Sequence, residues 1–468
     1  MPPTTIDPNT SDSEQQPTPQ PQEDIGHLLT VRERISYGLG DMGANIVFSY
    51  VGSFVLFYLT DYVGIGAAIA GTLLLFGRVL DGTMDIVVGS LIDKTRSRWG
   101  KARPWVLFSM PVLLISFVLL FAVPEGLSEQ GASIYVFVFY FLCLGVGFTA
   151  SNLSYHTLLS LMTTHTKMRV SSEVIRTVCS GLGGIFVLVA TIPLITALGN
   201  QRSSWAFVAI GYALLAGATI LVTFWGTRER VLDALVRERV KVGASMRHLF
   251  TNRYFFLAFV MFFLFYAQNG LGSVGIYIAR DVIGNASFFS VLALIGLLPA
   301  MATMWFMPGL VNRYGKRNLV LAGVILSLLG TGVVYIDPHS VGLLVTGSIV
   351  RALALMPLSI TAWTFVADAV DYGEWRTGKR LDGMTFAAAT AGQNFGAGLG
   401  SAAVGWLLAV GGYMPNAAQQ SPQALNMQIF IFAGLPAILS VAIGAVVFFM
   451  DLDRSLPQIH RDLAARRS

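Results

Sequence analysis

Three ionisable residues stand close together inside an apolar stretch of the chain, in the segment RVLDGTMD. Arg78, Asp81 and Asp85 are spaced by three and four residues, which places them on one face of an α-helix. Two carboxylates one turn apart in a low-dielectric environment cannot both remain ionised, so one takes up a proton or a cation lies between them. This is the chemistry of an ion-coupling site. The alternative is a structural ion pair, but Arg78 can balance only one aspartate.

Other polar residues also interrupt apolar stretches, where an uncompensated polar group is costly. Asp41 and Asn45 are one helical turn apart, and Thr149, Asn152 and His156 have a spacing that suits one helix face. Such side chains either line a water-filled cavity or form hydrogen bonds between helices.

Two arginines also interrupt apolar stretches. Arg176 lies at the start of one apolar stretch, and Arg351 lies near the middle of another. Arg351 either pairs with a carboxylate of a neighbouring helix or binds an anionic or hydroxyl-rich substrate. Thr390 and Asn394, in a glycine-rich stretch, are further candidates for substrate binding.

The elements that must position these residues are predicted from composition. Of 468 residues, 54% are hydrophobic and 12% are charged, whereas a soluble domain carries about 25% charged residues. A helix needs about 20 mostly apolar residues to cross a bilayer. Continuous apolar runs indicate helices and not the alternating strands of a membrane barrel. Twelve stretches qualify: 42–60, 66–92, 105–123, 133–162, 174–198, 205–226, 253–279, 287–311, 318–336, 340–367, 383–411 and 427–450.

The basic residues predict the topology. Most of the 31 Lys and Arg residues fall in the tails and in every second loop, so both termini are expected to be cytoplasmic. The net charge of +5 is therefore a topology signal, and no nucleic-acid partner is expected. The first residues are polar and lack the pattern of a cleaved signal peptide.

An internal repeat predicts two halves. The segments GSLIDKTRSRWGKARPW (Gly89–Trp105) and GLVNRYGKRN (Gly309–Asn318) both place R-aromatic-G-K after an even-numbered span. Two parallel six-helix bundles of this kind are typical of the major facilitator fold, an all-α integral membrane architecture. The expected organisation is a disordered cytoplasmic tail 1–28, a bundle 29–226, a cytoplasmic linker 227–250, a bundle 251–450 and a basic tail 451–468.

Several function classes have no motif in the chain. The sequence contains no GxxxxGK[ST], HExxH or GxSxG, which argues against an ATP-driven pump, a metalloprotease and a lipase. Its two cysteines, Cys143 and Cys179, exclude a disulfide framework and a cysteine-rich metal site. We therefore expect neither an enzyme nor a bound cofactor.

Three motifs give a family resemblance. GRVLDGTMDIVVGSLIDKTRSRWGKARPW, VADAVDYGEWRTGKR (Val366–Arg380) and YGLGDMGAN (Tyr37–Asn45) resemble the glycoside–pentoside–hexuronide:cation symporters over about residues 34–450. The resemblance implies that Asp81 and Asp85 bind the coupling cation with Thr149 nearby. It places Asn45, Asn152, His156 and Arg176 at the sugar. It implies a cytoplasmic gate formed by Asp368, Asp371, Glu374 and Arg380, and Arg78 is a further gating candidate.

The chain also departs from the family pattern. Asn45 and Asn152 stand where melibiose-type members have aspartates, whereas glucuronide-type members have asparagines there. Asn394 stands where a lysine is common, and Met84 offers no oxygen to a hard cation such as Na⁺. With Arg176 and Arg351 as attractive charges, these differences favour acidic glycosides such as uronides and H⁺ coupling. Na⁺ at Asp81 and Asp85 is the alternative, and no resident metal is expected.

The predicted function is import of a sugar or glycoside by a cation-coupled symporter that works by alternating access. The expected location is the plasma membrane, such as a bacterial inner membrane, with the monomer as the functional unit. Two alternatives stay open. One is a transporter of another cargo such as a lysolipid, for which the aromatic run Tyr254–Tyr266 could form an apolar path, and the other is a non-transporting sensor.

Overall fold

The computed structural model describes residues 28–230, 252–304, 306–378, 382–415, 417, 419–452 and 455–467. Most of the predicted tail 1–28, most of the linker 227–250 and Arg380 lie outside these residues. The described elements are helical. They are α1 (Val31–Tyr58), α2 (Ala67–Lys94), α3 (Arg103–Leu120), α4 (Glu129–Tyr140), α5 (Thr149–Met162), α6 (Thr166–Ala197), α7 (Arg202–Gly226), α8 (Arg253–Gly270), α9 (Gly275–Tyr277), α10 (Phe288–Met304), α11 (Met307–Tyr314), α12 (Lys316–Ile336), α13 (Val341–Thr377), α14 (Asp382–Val410), α15 (Pro422–Ile429), α16 (Leu435–Phe448) and α17 (Leu456–Arg467).

Several helices are extended by wider π turns. Leu59–Val63 continues α1, Phe141–Phe148 joins α4 to α5, Ile278–Val282 follows α9, and Phe430–Gly434 joins α15 to α16. These joints turn pairs of short helices into single rods long enough to cross a bilayer.

In the described part of the chain, nine helical rods are long and apolar enough to cross a membrane. Three further helices of the predicted twelve, α2, α10 and α14, do not meet that test. Arg78, Asp81 and Asp85 lower the apolarity of α2, α10 has only 17 residues, and α14 contains amides and many glycines. The all-helical membrane fold is confirmed, whereas the count of twelve spans stays a prediction.

Two ends of the helix assembly are distinguished by charge. Lys94 ends α2, Arg103 begins α3 and Lys316 begins α12, so we call this side the basic end. The opposite side, where α1 ends and α2 begins, is the far end. At the basic end, the Glu229 carboxylate accepts backbone N–H groups of Lys101, Ala102 and Arg103 at 2.7–2.8 Å and so caps α3.

The N-terminal helices are packed around an aromatic cluster. The fully buried Trp205 of α7 has its ring 6.0–6.2 Å from the rings of Tyr50, Phe54 and Phe57 on α1. Large aromatic surfaces dominate packing energies because each buries much apolar area. The cluster fixes the position of α1, which carries several candidate site residues.

Glycines bring α2 and α14 into close contact. A Cβ added at Gly71 of α2 would lie 2.7 Å from the Ala402 carbonyl oxygen of α14. A Cβ at Gly398 of α14 would lie 2.8 Å from Cβ of Arg78. No larger residue fits such a crossing without displacing a helix, as in other small-residue helix contacts in membranes. The crossing fixes Arg78 at the junction between the N-terminal and C-terminal helices.

Candidate functional site

A cavity of about 560 Å³ lies between the N-terminal and C-terminal helices. Helices α1, α2 and α5 line one side, and α8 and α14 line the other. Its volume is in the usual range for a small-molecule site. The predicted residues that line it are Asn45, Arg78, Asp81, Asp85, Thr149, Asn152, Thr390 and Asn394.

The two aspartates have different surroundings. The Thr149 hydroxyl donates a 2.6 Å hydrogen bond to Oδ1 of Asp81, and Nη1 of Arg78 lies 3.7 Å from Oδ2 of Asp81. Asp81 is buried, with 6% of its surface exposed. Asp85, one turn closer to the basic end, is half-buried and forms no ion pair with any described residue. Arg78 thus balances Asp81, whereas Asp85 has no described cationic partner.

Amide side chains from both sides face the same space. Asn152 of α5 and Gln393 and Asn394 of α14 line the cavity and form no hydrogen bond with another described residue. Each amide offers both donors and an acceptor. Such groups match the hydroxyls of a sugar, which also donate and accept.

Asn45 and Thr390 line the cavity but already have partners. The Asn45 Nδ2 donates to the Ser180 hydroxyl at 2.6 Å, and Oδ1 accepts from Ser49 at 3.1 Å. The Thr390 hydroxyl donates to the Phe386 carbonyl at 3.1 Å. These bonds hold the two side chains in place beside the cavity.

Arg176, Asp41 and His156 are not among the lining residues of the cavity. Arg176 of α6 donates to Asp41 of α1 at 2.9 Å and to Glu173 at 2.5 Å. This pairing satisfies the charge of Arg176 and ties α1 to α6. His156 of α5 lies near these charged groups. The role of these three residues in substrate binding stays a prediction.

Arg351 of α13 is also absent from the cavity lining. Its guanidinium carbon lies 5.1 Å from the ring centroid of Phe432. Its Cγ packs against Gly330 of α12, where an added Cβ would be only 2.8 Å away. Because α12 is close at this point, the side chain lies between α12, α13 and the π turn that contains Phe432. The expectation that Arg351 faces the central cavity is therefore not met.

The predicted gating residues of α13 lie at the basic end. Asp368 forms an ion pair with Lys316 of α12, and Asp371 lies 3.1 Å from Nε2 of His460 on α17. Glu374 lies one turn before the end of α13, and its carbonyl accepts the N–H of Gly378. Arg380 lies outside the described residues. Their part in gating stays a prediction.

Polar contacts join the two sets of helices toward the far end. Trp406 of α14 donates to Thr72 of α2 at 2.9 Å, and the hydroxyls of Thr60 and Tyr277 are 2.9 Å apart. Ser290 of α10 donates to the Val189 carbonyl of α6 at 2.8 Å. These contacts hold the two sets of helices together toward the far end.

Several lining residues were not predicted from the sequence. Phe48, Phe148, Tyr266 and Asn269 are the clearest examples. Asn269 carries the signal that identified Asn45, a polar residue within an apolar run, and could have been found in the same way. The aromatic residues carry no such signal, because lipid-facing helices contain them too.

The sequence and the fold resemble those of known transporters. The profile of the family described as MFS/sugar transport protein matches residues 36–454. The chain is 31% identical to an isoprimeverose transporter of Lactiplantibacillus pentosus, over 97% of this chain and 96% of that one. It is 28% identical to a glucuronide carrier protein homolog of Escherichia coli K12, over 95% and 97%. A crystal structure of a D-xylose-proton symporter has the same fold, with a TM-score of 0.61, 14% identity, and coverage of 88% and 96%.

Proposed function

The chain belongs to the MFS/sugar transport protein family, and from this premise we propose that it is a symporter that moves a neutral sugar or glycoside together with a cation. The relatives named above are transporters, so the chain is a membrane transporter and not an enzyme. The observation that carries the proposal is the cavity that brings Asp85 together with the amides of Asn152, Gln393 and Asn394.

The charges of the cavity support a neutral substrate. Its lining contains two aspartates and one arginine, and Arg78 is already next to Asp81. Acidic glycosides were expected because Asn45 and Asn152 replace two carboxylates and because Arg176 and Arg351 were expected to add attraction for an anion. Neither arginine is among the described residues that line the cavity. No unpaired positive charge among those residues is therefore available for a uronide, and its carboxylate would meet Asp85.

The surroundings of Asp85 support H⁺ as the coupling ion. Na⁺ prefers several oxygen ligands, as other hard cations do. The Thr149 hydroxyl donates its proton to Asp81, and Met84, next to Asp85 in the chain, carries sulfur and no side-chain oxygen. A carboxylate at the edge of a cavity can bind a proton without further ligands.

The arrangement of contacts supports a conformation open toward the basic end. The far end is closed by the polar contacts described above, and the basic end would face the cytoplasm by the positive-inside rule. The protein would then release substrate into the cytoplasm from this state, as a monomer in a bacterial inner membrane. Alternating access requires the far-end contacts to break and the gating residues at the basic end to close.

Uptake into proteoliposomes tests this function. Isoprimeverose serves as the neutral probe and methyl β-D-glucuronide as the acidic one, each with a pH gradient, a Na⁺ gradient or neither. We expect accumulation of isoprimeverose driven by the pH gradient and little uptake of the glucuronide. Faster glucuronide uptake, or accumulation that follows only Na⁺, would contradict the choice of substrate or of ion. Lack of any sugar uptake would leave the lysolipid and sensor alternatives.

A further inference from the structure

An aromatic pair forms part of the cavity wall beside the ion site. The rings of Phe48 on α1 and Phe148, the last residue before α5, are stacked with centroids 5.0 Å apart and planes inclined by 28°. The guanidinium carbon of Arg78 lies 4.9 Å from the centroid of Phe48. An arginine at this distance is attracted by the electron-rich face of the ring. Phe48 therefore contacts both Arg78 and Phe148.

Arg78 and Phe148, the two neighbours of Phe48, are both connected to Asp81. Arg78 lies 3.7 Å from Oδ2 of Asp81. Phe148 is followed directly by Thr149, whose hydroxyl donates to Oδ1 of Asp81 at 2.6 Å. A shift of the aromatic pair would thus alter the two interactions that stabilise the Asp81 carboxylate.

The stem of the Arg78 side chain is packed against α14. Gly398 of α14 lies against its Cβ, so closely that a methyl group there would be 2.8 Å away. The guanidinium lies beside Phe48, Asp81 and Tyr140, so Phe48 is one of the groups that set its position. When Arg78 moves away from Asp81, the charge balance of the aspartate pair changes, and so does the affinity of Asp85 for a cation.

We propose that Phe48 is the positioning residue that couples sugar binding to ion binding. The inference rests on the proposed function. A sugar whose apolar C–H face packs on the Phe48–Phe148 pair displaces the rings, and Arg78 follows Phe48 and changes its distance to Asp81. By thermodynamic linkage, the ion changes the affinity for sugar by the same factor as the sugar changes the affinity for the ion.

The test measures isoprimeverose affinity of the purified protein over a range of pH, with and without Na⁺. In wild type, the coupling ion should change the affinity by about 5- to 150-fold, the usual range for linked sites. Phe48→Leu keeps apolar volume but lacks the ring, so we expect sugar binding to survive with almost no dependence on the ion. Phe48→Tyr restores a ring and should restore the dependence.

Tyr266→Leu is the matched control, because Tyr266 lines the same cavity from α8. It should weaken binding yet keep the wild-type dependence on the ion. The proposal is overturned if Phe48→Leu keeps that dependence, or if Tyr266→Leu loses it equally.

A measurement without sugar separates this inference from the proposed function. If wild type binds neither isoprimeverose nor methyl β-D-glucuronide, the proposed function fails. Infrared spectroscopy of the protein without sugar then measures the pH at which the site carboxylates become protonated. This pH tests the role of the Phe48–Phe148 pair. The pH of protonation should differ from the wild-type value in Phe48→Leu and should equal it again in Phe48→Tyr. Identical titrations of all three proteins would refute the role of Phe48.

Discussion

Arg280 and Asp61 form an ion pair across the far end of the protein, with Nη1 of Arg280 2.5 Å from Oδ1 of Asp61. Asp61 follows α1 and is buried, with 3% of its surface exposed, and Arg280 lies in the π turn after α9. The Tyr413 hydroxyl donates to Asp61 at 2.8 and 2.9 Å. A charge buried this deeply is stable only with such partners, so the pair holds the N-terminal and C-terminal helices together.

Asp61→Asn should therefore open the far end more often. In a protein whose Cys143 and Cys179 are replaced by alanine, a cysteine at Ser53 on the cavity wall reports access from that side. A membrane-impermeant maleimide added at the far side should label it faster in Asp61→Asn. Asp281→Asn is the control, because Asp281 also binds Arg280 but lies next to it in the chain. Equal labelling of wild type and Asp61→Asn would show that the pair does not close the far end.

Asp85→Asn should abolish accumulation of sugar against a gradient while exchange of sugar across the membrane survives. Asp85 has no ion pair with a described residue, so the substitution removes the binding site for the ion and disturbs little else. Asp81→Asn should also reduce thermal stability, because it leaves Arg78 without its carboxylate partner. Uphill transport and exchange are measured for both variants. Undiminished uphill transport in Asp85→Asn would refute the assignment of Asp85 as the ion-binding residue.

Arg351→Ala should weaken transport of acidic and neutral sugars equally. The side chain packs on Gly330 and over Phe432, away from the cavity, and its contact with the ring contributes about 0.5–2 kcal/mol. We expect a lower Tm with a similar change in KM for isoprimeverose and for methyl β-D-glucuronide. A selective rise of KM for the glucuronide would instead restore Arg351 as a substrate anchor.

Asn394→Lys should shift the pH optimum of uptake toward acid. Asn394 lines the cavity with Asp81 and Asp85, and a lysine there places a positive charge near both. A positive charge favours the ionised carboxylate, so a lower pH is needed to load the proton. Asn394→Met has similar length without charge and should keep the wild-type optimum. Superimposable pH profiles of wild type and Asn394→Lys would place the coupling chemistry elsewhere.

Sequence patterns identified polar residues that line the cavity, because charges are so costly in apolar helices that few positions carry them. Arg78, Asp81 and Asp85 meet Thr149 and Asn152 at one cavity, as their spacing on helix faces predicted. The family resemblance supplied the same cavity residues together with His156 and Arg176, which lie outside it.

The surroundings of several residues could not be predicted from the sequence, for physical reasons. The family resemblance placed Arg176 at the substrate, but helix spacing does not tell which neighbour an arginine faces, and its pairing with Asp41 and Glu173 could not be predicted. Likewise, Arg351 lies beside Gly330, a close approach that only the three-dimensional packing of α12 and α13 reveals. Phe48 and Phe148 were missed because an aromatic residue facing a cavity and one facing lipid give the same pattern.

The π turn between α4 and α5 changes how this region must be aligned with its relatives. Tyr140 and Thr149 are nine residues apart, about two and a half turns of a regular α-helix, so a helical wheel places them on opposite faces. Both nevertheless contact α2, Tyr140 at Gly77 and Thr149 at Asp81. The wider turns of Phe141–Phe148 absorb the difference in phase. A relative that lacks this widening must carry its threonine at a shifted register to reach the same aspartate.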